Sequence, residues 1–345
     1  MKNRWYLLIM LLALISCNNS KKEKVDSKTE NKTEYTALQT RAKALFGELP
    51  KVAENKANPI TDEKVALGKK LYFETKLSKN GNQSCNTCHN LDTYGVDNLP
   101  TSPGDGKGTL GNRNSPTTLN AALHIAQFWD GREPDVEAQA GGPILNPVEM
   151  GMPDEKTVIS RLSKDKEYKE MFAKAFPEEK NPVTYDNLKK AIGAFERKLI
   201  TPSKFDKFIA GDIKALSEKE IKGLQLFIDK GCTTCHSGNA LGGNMFQKFG
   251  LFGNYWEYTK SKSVDKGKAE VSKKEGDNYI FKTPSLRNIT KTYPYFHDGS
   301  VGDLKEAIKI MGKLQLNKDL TDEEVSSIYD FMEALTGEVP AEYKM

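Results

Sequence analysis

The pentapeptide Cys85-Asn86-Thr87-Cys88-His89 occurs a second time, with the same spacing, as Cys232-Thr233-Thr234-Cys235-His236. This spacing lets two thiols add across the vinyl groups of one haem while the following His turns inward to bind the iron. A zinc site or a redox dithiol would use the same residue types. The chain has only 5 Cys and 4 His in 345 residues, so two such runs favour haem over these alternatives. The sequence therefore predicts two covalently bound c-type haems.

Helical spacing of apolar residues dominates the chain around both runs. The segment from Ser217 to Glu220 has the pattern of a capping box, and the apolar periodicity after it ends at Gly231, directly before the second run. Thr61 is the corresponding N-cap candidate ahead of the first run, and another helix is predicted from Tyr185 to Leu199. Alternating strand patterns are nearly absent. The predicted fold class is therefore all-α, with two helical cytochrome c-like domains, each around one haem.

The N-terminus has the layout of an export signal, with basic Lys2 and Arg4 followed by an apolar stretch too short to span a bilayer. Leu14-Ile15-Ser16-Cys17 resembles a lipobox, in which the chain is cut before Cys17 and the new N-terminal Cys receives lipid. Haem accounts for four of the five cysteines, so a lipid anchor explains the fifth. The alternative is a secreted protein cleaved at or near Ser16. We expect residues 1–17 to be a lipoprotein signal and the protein to be exported to the periplasmic side of a membrane.

Residues 18–36 are predicted to form a flexible tether, because they carry five Lys and four Asp or Glu with Val25 as almost their only apolar side chain. The remaining chain is longer than one hydrophobic core usually supports. Since Thr201-Pro202-Ser203 interrupts the helical pattern, we expect domains at residues 37–200 and 201–345. A formal net charge of +4 is close to neutral, and nothing in the sequence indicates a nucleic-acid partner.

The chain can be aligned with itself at a shift of 168 residues. The shift pairs Pro116 with Pro284, Asn120 with Asn288, and Phe128-Trp129-Asp130-Gly131 with Phe296-His297-Asp298-Gly299. Both matches lie downstream of a Cys-His run, which indicates a duplicated module. The second copy has about 21 extra residues, and the Gly-rich and Lys-rich stretch from Gly238 to Asn278 is predicted to be their surface loop.

The same shift pairs Met311 with Pro143. A Met thioether opposite the His closes a c-type haem and raises its reduction potential, whereas proline cannot coordinate iron. The second haem is therefore predicted to be closed and the first open to a small molecule. There are two alternatives to ligation by Met311. Met311 can be a core methionine on the helix from Leu304 to Leu314, or Met245 can be the ligand instead. Glu149 follows Pro143 closely enough to lie over the open haem, where burial would suit its carboxylate to proton transfer; an ordinary solvated carboxylate is the other interpretation.

Several segments together resemble the bacterial dihaem cytochrome c peroxidases. They are residues 90–98, Arg113-Asn114-Ser115-Pro116, Gln127 to Arg132, Gly142-Pro143-Ile144, Glu149-Met150, Tyr295 to Gly299 and Met311-Gly312-Lys313. The resemblance runs in the family's order from about residue 40 to about residue 340. It implies reduction of hydrogen peroxide to water, with electrons from a small c-type cytochrome or cupredoxin.

The resemblance also implies roles for individual residues. It assigns the peroxidatic, low-potential haem to Cys85, Cys88 and His89, and the electron-entry, high-potential haem to Cys232, Cys235 and His236 with Met311 as upper ligand. It makes Glu149 the catalytic acid and base, Gln139 a neighbour in the same pocket, and Trp129 a residue between the haems that can also be a core aromatic. It places a calcium ion between the domains, bound by Asn114 and the backbone carbonyls of Thr292 and Pro294. Dimers are usual in the family.

One departure from the family pattern concerns the loop after the first run. Family members usually carry a histidine there that caps the peroxidatic iron in the oxidised enzyme and leaves when the other haem is reduced. Here Asp105 stands at the matching place, and no His occurs between Asn90 and Leu123. We expect the oxidised enzyme to be open without reductive activation. His124 is the only candidate substitute, although a packed core or pocket histidine is the favoured interpretation, and His297 is expected near the electron-entry haem or the domain interface.

Two other functions use the same pair of haems. A dihaem enzyme that oxidises a protein or another large substrate can have tyrosine as the upper ligand of its second haem, which the Met311 match disfavours. A dihaem electron carrier with no enzymatic role would need both irons six-coordinate, which Pro143 and Glu149 disfavour.

Overall fold

The computed structural model describes residues 27–345, with side chains from Thr33 onward. The predicted signal, Cys17 and residues 18–26 of the predicted tether lie outside these residues. Within the described part of the chain, none of the helices combines the length and the apolar character needed to cross a membrane.

The described residues are mostly helical. The α-helices are α1 (Ser27–Phe46), α2 (Asp62–Tyr72), α3 (Cys85–Cys88), α4 (Val136–Leu145), α5 (Glu155–Ser163), α6 (Lys166–Ala175), α7 (Tyr185–Glu196), α8 (Lys204–Ile209), α9 (Glu218–Lys230), α10 (Tyr255–Thr259), α11 (Ala269–Ser272), α12 (Leu304–Leu316) and α13 (Asp322–Glu333). One two-stranded antiparallel sheet, β1 (Phe246–Lys248) and β2 (Ile280–Lys282), is the only sheet in residues 27–345. The all-α prediction is confirmed.

Local sequence signals fix the helices that lead into each Cys-His run. The Thr61 side chain caps α2 by accepting the N–H of Lys64 at 3.2 Å. Ser217 and Glu220 form the predicted capping box at the start of α9, which ends at Gly231 with a φ of 94°. Only glycine adopts this left-handed conformation without strain, so the chain turns sharply there and enters the second run.

Apart from the residues of α1, the two larger hydrophobic cores lie on opposite sides of residue 201 in the sequence. The first, built by α2 and α4 to α7, contains Leu67, Leu71, Ile144, Phe172, Leu188 and Ile192. The second, built mainly by α9, α12 and α13, contains Leu224, Phe227, Ile308, Ile328 and Phe331. In each core a glycine allows one helix pair to touch: a Cβ on Gly68 would lie 1.9 Å from the carbonyl oxygen of Ala191, and a Cβ on Gly223 would lie 1.9 Å from that of Ser327.

The N-terminal helix does not follow the predicted domain division. Helix α1 begins at Ser27, so residues 27–36 of the predicted tether are helical, and residues 37–46 pack on the second core rather than the first. The reason is the spacing of Leu38, Ala42 and Phe46, which places three apolar side chains on one helix face. That face packs against α8, where Phe46 and Phe205 make an edge-to-face contact at 5.4 Å.

The C-terminal residues belong to the second domain in sequence but pack against the first. Val339 and Tyr343 pack against the first domain, where the Tyr343 ring lies 6.0 Å from that of Phe195. Each end of the described chain is therefore anchored on the domain distant in sequence. This exchange couples the stability of the two domains.

The junction between the domains is a buried hydrogen-bonded cluster centred on Thr201. Asn120 and Asn288, which the internal repeat pairs, both have left-handed backbone conformations and are fully buried. Their amide nitrogens donate to the same Thr201 hydroxyl, at 2.8 and 2.9 Å. The oxygen of Asn120 accepts the N–H of Thr201, and that of Asn288 accepts the N–H of Gly337. The repeat seen in the sequence is therefore a repeated structural motif meeting at one side chain.

Replacing Thr201 by Val is expected to destabilise the protein by about 2 kcal/mol or more, because two buried amide donors lose their common acceptor. Thr201→Ser keeps the hydroxyl and should cost clearly less. Urea unfolding of the haem-loaded proteins, followed by far-ultraviolet circular dichroism, measures both. A larger loss for Ser than for Val would show that packing of the methyl group, and not the shared hydroxyl, matters at this junction.

Candidate active site

The first Cys-His run forms one wall of a cavity of ≈ 710 Å³. Helix α3 is a single turn, held at its start by the Ser84 N–H, which donates to the Thr87 hydroxyl at 2.9 Å. The Tyr72 hydroxyl donates to the His89 carbonyl at 2.6 Å and fixes the end of the turn. Cys85, Cys88 and His89 consequently line the same cavity.

These residues fit a covalently attached haem better than a zinc or dithiol site. No disulfide joins the Cys85 and Cys88 thiols, and burial raises the pKa of Cys88 to about 11, whereas the cysteines of redox-active dithiols have a lowered pKa. Burial also lowers the pKa of His89, which keeps the imidazole neutral and able to bind iron. Among the side chains of residues 33–345, no group of three His, Cys, Asp or Glu is arranged to hold a metal ion.

Glu149 lines the first cavity together with Gln139 and Pro143, as the sequence predicts. Its carboxylate is half-buried, and its Oε2 atom is inaccessible to solvent and has no hydrogen-bond partner. Burial raises the pKa of Glu149, while the charge of Arg132 and a hydrogen bond with Asn146 oppose the rise. A half-buried carboxylate of raised pKa with one unpartnered oxygen can exchange a proton with a small molecule in the cavity. The structure therefore does not support an ordinary solvated carboxylate.

The second run lines a narrower cavity of ≈ 220 Å³, whose walls are mostly apolar. Cys232, Cys235 and His236 share it with Met311 from α12, whereas Met245 is not among its lining residues. The His236 Nδ1 atom lies 3.1 Å from the carbonyl oxygen of Leu241, which orients the ring, and burial lowers its pKa to about 4. This cavity has a sulfur ligand candidate where the first cavity has Pro143. The positions of Met311 and Pro143 are those that the predicted asymmetry requires, and iron ligation by Met311 stays a prediction.

Trp129 lies between the two cavities and lines both. Its indole N–H donates to the Asn114 carbonyl at 2.9 Å, and the Asn114 N–H donates to the His297 carbonyl at 2.7 Å. The rings of Trp129 and His297, the paired positions of the internal repeat, approach edge to face at 6.3 Å. His297 is buried at the domain interface, where the sequence places it.

Asp105 lies outside both cavities. Its carboxylate accepts hydrogen bonds from the Ser78 hydroxyl at 3.2 Å and from the backbone N–H groups of Asn80 and Asn82 at 2.6 and 3.2 Å. Its own N–H donates to the Glu149 carbonyl at 2.7 Å. Asp105 thus fastens its loop to the neighbouring segment and to the Glu149 backbone. His124 lines the second cavity and not the first, so it does not substitute for the missing loop histidine.

The stretch from Gly238 to Asn278 is more ordered than the predicted surface loop, since it contains β1, α10 and α11. Ser263, Val264 and Asp265 from this stretch line the first cavity. Asp265 accepts two hydrogen bonds from the Arg113 guanidinium, at 2.6 and 2.9 Å, which fasten it over the first domain. Sequence reasoning missed this contact because its partners are 152 residues apart and neither belongs to a local motif.

The three residues predicted to bind calcium lie close to the interface between the two domains. Asn114, Thr292 and Pro294 all line the second cavity. The Asn114 amide nitrogen donates to the Leu99 carbonyl at 3.0 Å, which leaves the amide oxygen as the atom able to bind a hard cation. The calcium ion stays a prediction.

Comparisons with known proteins agree with this geometry. The family model for di-haem cytochrome c peroxidases matches residues 62–214, and the cytochrome c model matches residues 221–336. The chain is 45% identical to cytochrome c551 peroxidase of Pseudomonas aeruginosa over 306 residues, covering 88% of each chain. It is 44% identical to cytochrome c551 peroxidase of Nitrosomonas europaea over 285 residues, covering 82% of each. A crystal structure of a MauG-like protein associated with microbial copper homeostasis matches with a TM-score of 0.77 at 27% identity, covering 86% of this chain and 97% of that one.

Proposed function

Because the chain belongs to the di-haem cytochrome c peroxidase family, we propose that it reduces hydrogen peroxide to water in the first cavity, with electrons that a small c-type cytochrome or cupredoxin delivers through the second domain. The observation that carries the proposal is the Glu149 carboxylate, whose buried Oε2 atom has no partner and which lines the same cavity as Pro143 and His89. The family accounts for two haems, and the residues of both runs fit them.

Cys85, Cys88 and His89 would hold a haem at the first run, and that haem would supply the redox chemistry for cleavage of the O–O bond. Glu149 takes the proton from one peroxide oxygen and delivers it to the other oxygen, which leaves as water. The remaining oxygen atom becomes the second water when it takes two protons and the two electrons that two donor molecules supply. The Arg132 guanidinium, held 3.3 Å above the Phe128 ring, adds positive charge to the cavity and opposes the rise in the pKa of Glu149 that burial causes. Gln139 contributes an amide that can orient peroxide.

The path for electrons is supported by the position of Trp129. Its ring contributes to both cavities and packs partly against the second core, so it supplies aromatic contact across the domain interface. The three residues proposed for catalysis, Glu149, Gln139 and Trp129, all line the first cavity, and Trp129 also lines the second.

Steady-state turnover tests the proposed activity. The protein carrying both haems should consume hydrogen peroxide and oxidise a reduced small cytochrome in a ratio of one peroxide to two cytochromes. A protein with both haems loaded that shows no peroxide-dependent oxidation of any small cytochrome or cupredoxin would overturn the proposal. The similarity to a MauG-like protein makes oxidation of a protein substrate the rival outcome, and Met311 in the second cavity is the feature that disfavours it.

Met311→Leu is expected to leave the second haem without its upper ligand and to lower its midpoint potential by at least about 59 mV, a tenfold change in a one-electron equilibrium. Turnover with the reduced cytochrome should fall accordingly. Spectroelectrochemical titration of the two haems measures the shift, and Met245→Leu is the matched control because Met245 does not line the second cavity. Loss of Met ligation in the Met245 variant alone would reverse the assignment.

The proposal extends to location and assembly. The signal-like N-terminus and Cys17 support export and lipid attachment on the periplasmic side of a membrane, the oxygen donors near Asn114 support a calcium ion, and the family supports a homodimer. Cys17→Ser is expected to move the protein from the membrane fraction to the soluble fraction, with its haems unchanged. A variant that remains membrane-bound would exclude lipid on Cys17 as the anchor.

A further inference from the structure

A buried lysine beside the second cavity has no acidic partner. Lys282 lies at the end of β2, where its N–H donates to the Trp129 carbonyl at 2.8 Å, and the residue is 6% exposed. Burying an ammonium group is costly unless another charge or several hydrogen bonds compensate it. Burial alone accounts for the lowered pKa of Lys282, about 8, and among the described residues no carboxylate forms an ion pair with it. The chain itself therefore leaves this charge uncompensated.

Among the described residues, the Lys282 ammonium makes one hydrogen bond, and its partner is a second buried group. Its Nζ atom lies 3.2 Å from Nδ1 of His124. Burial, reinforced by the Lys282 charge, lowers the pKa of His124, so the ring is neutral. With Nδ1 accepting from the ammonium, the ring proton lies on Nε2, and that atom is buried with no partner. An ammonium has three protons, so both side chains have donors to spare.

Both side chains line the cavity of the second Cys-His run. They come from different domains: His124 follows the buried Asn120 turn of the first, and Lys282 ends a strand of the second. The Ile125 N–H donates to the Gly243 carbonyl at 2.8 Å, which joins the two segments directly. The pair is thus built into the interface, and its unused donors require an anionic acceptor within an otherwise mostly apolar cavity.

We propose that Lys282 and His124 bind a carboxylate of the second haem, so that one side chain from each domain holds the same group. The haem carries its own carboxylates into the cavity, and such a group satisfies the ammonium charge and the Nε2 proton together. A positive charge held beside a haem favours the reduced iron, so the pair keeps the potential of the electron-entry haem high. The inference rests on the two-haem assignment and not on peroxide reduction.

Lys282→Met in the protein carrying both haems is expected to lower the midpoint potential of the second haem by about 59 mV or more, corresponding to at least a tenfold change in its one-electron equilibrium. The first haem should keep its potential. His124→Phe should lower the second potential in the same direction, because it removes one hydrogen-bond donor, and Lys282→Arg should restore most of the wild-type value. Spectroelectrochemical titration gives all these values without any turnover measurement.

Lys248→Met is the matched control, because it removes the same charge from an exposed lysine on the neighbouring strand β1. Its second haem should keep the wild-type potential. The ferric absorption spectrum should show Met ligation in every variant, which separates loss of charge from loss of the ligand. The inference is overturned if Lys282→Met behaves like Lys248→Met. Should Lys282→Met fail to load its second haem, an unchanged potential in His124→Phe overturns it.

Discussion

Glu149→Gln is expected to lower the rate of peroxide reduction by about 10²–10⁴-fold, the usual contribution of a positioned acid-base group. The amide has the shape of the carboxylate but cannot take the peroxide proton. Because Oε2 has no partner in the protein, the substitution breaks no hydrogen bond at that atom and should leave the fold and both haem potentials unchanged. Stopped-flow kinetics with the fully reduced protein measures the peroxide step separately from electron delivery.

Glu155→Gln is the matched control for that variant. Glu155 starts α5, is exposed and does not line the first cavity. Its replacement by Gln therefore removes the same charge from a position close to Glu149 in the sequence but outside the cavity. Its peroxide rate should match that of the wild type. Equal rates for the Glu149 variant and the wild type would show that another group, or solvent, transfers the proton.

The pH dependence of the reaction provides a second test of the same residue. Glu149 must be ionised to take the proton, so activity should be lost as pH falls through its pKa. Burial raises the pKa of Glu149, and the acidic limb of the profile should therefore lie above the ordinary range of a glutamate. In Glu149→Gln that limb should disappear from the remaining activity. A limb that persists at the same pH belongs to a different group.

The parts of this site that were predictable from the sequence have short-range signals. Each Cys-His run brings its own ligands into one cavity, and the capping patterns at Thr61 and Ser217 place the preceding helices. The difference between Met311 and Pro143 was visible because an internal repeat supplies a reference within the same chain. These inferences depend on residues adjacent in sequence, or on an alignment with no gap between Pro116 and Gly131.

The parts that were not predictable depend on contacts between distant residues. Asp265 meets Arg113 across 152 residues, and Lys282 meets His124 across 158. Neither pair has a motif, because an ion pair or a buried Lys–His contact requires only that two side chains meet in the fold. The packing of α1 on the second core was unpredictable for the same reason. The apolar face of α1 indicates that another element covers this face, but it does not indicate which domain provides that element.

The oxidised enzyme, never exposed to a reductant, is expected to react with peroxide at its full rate and without a lag once electrons are supplied. The resemblance to the dihaem peroxidases implies that a loop histidine usually blocks the peroxidatic iron until the other haem is reduced. Asp105 occupies that place here, and its carboxylate binds three donors outside the cavity. Moving it into the cavity would leave those donors unpaired, at a cost of about 1–3 kcal/mol each where they are buried.

The hydrogen bond from the Asp105 N–H to the Glu149 carbonyl strengthens this expectation. A loop that swung inward would pull on the backbone of the proposed acid-base group, so an open first cavity and a correctly placed Glu149 belong to the same loop position. Electron paramagnetic resonance of the as-isolated diferric protein should show one high-spin and one low-spin haem. Two low-spin haems, or a lag that prior reduction removes, would mean that a group other than Asp105 and His124 caps the first iron. Asp105→Asn, which keeps the side-chain shape, should leave the high-spin signal in place, because the aspartate contributes to loop position and not to ligation.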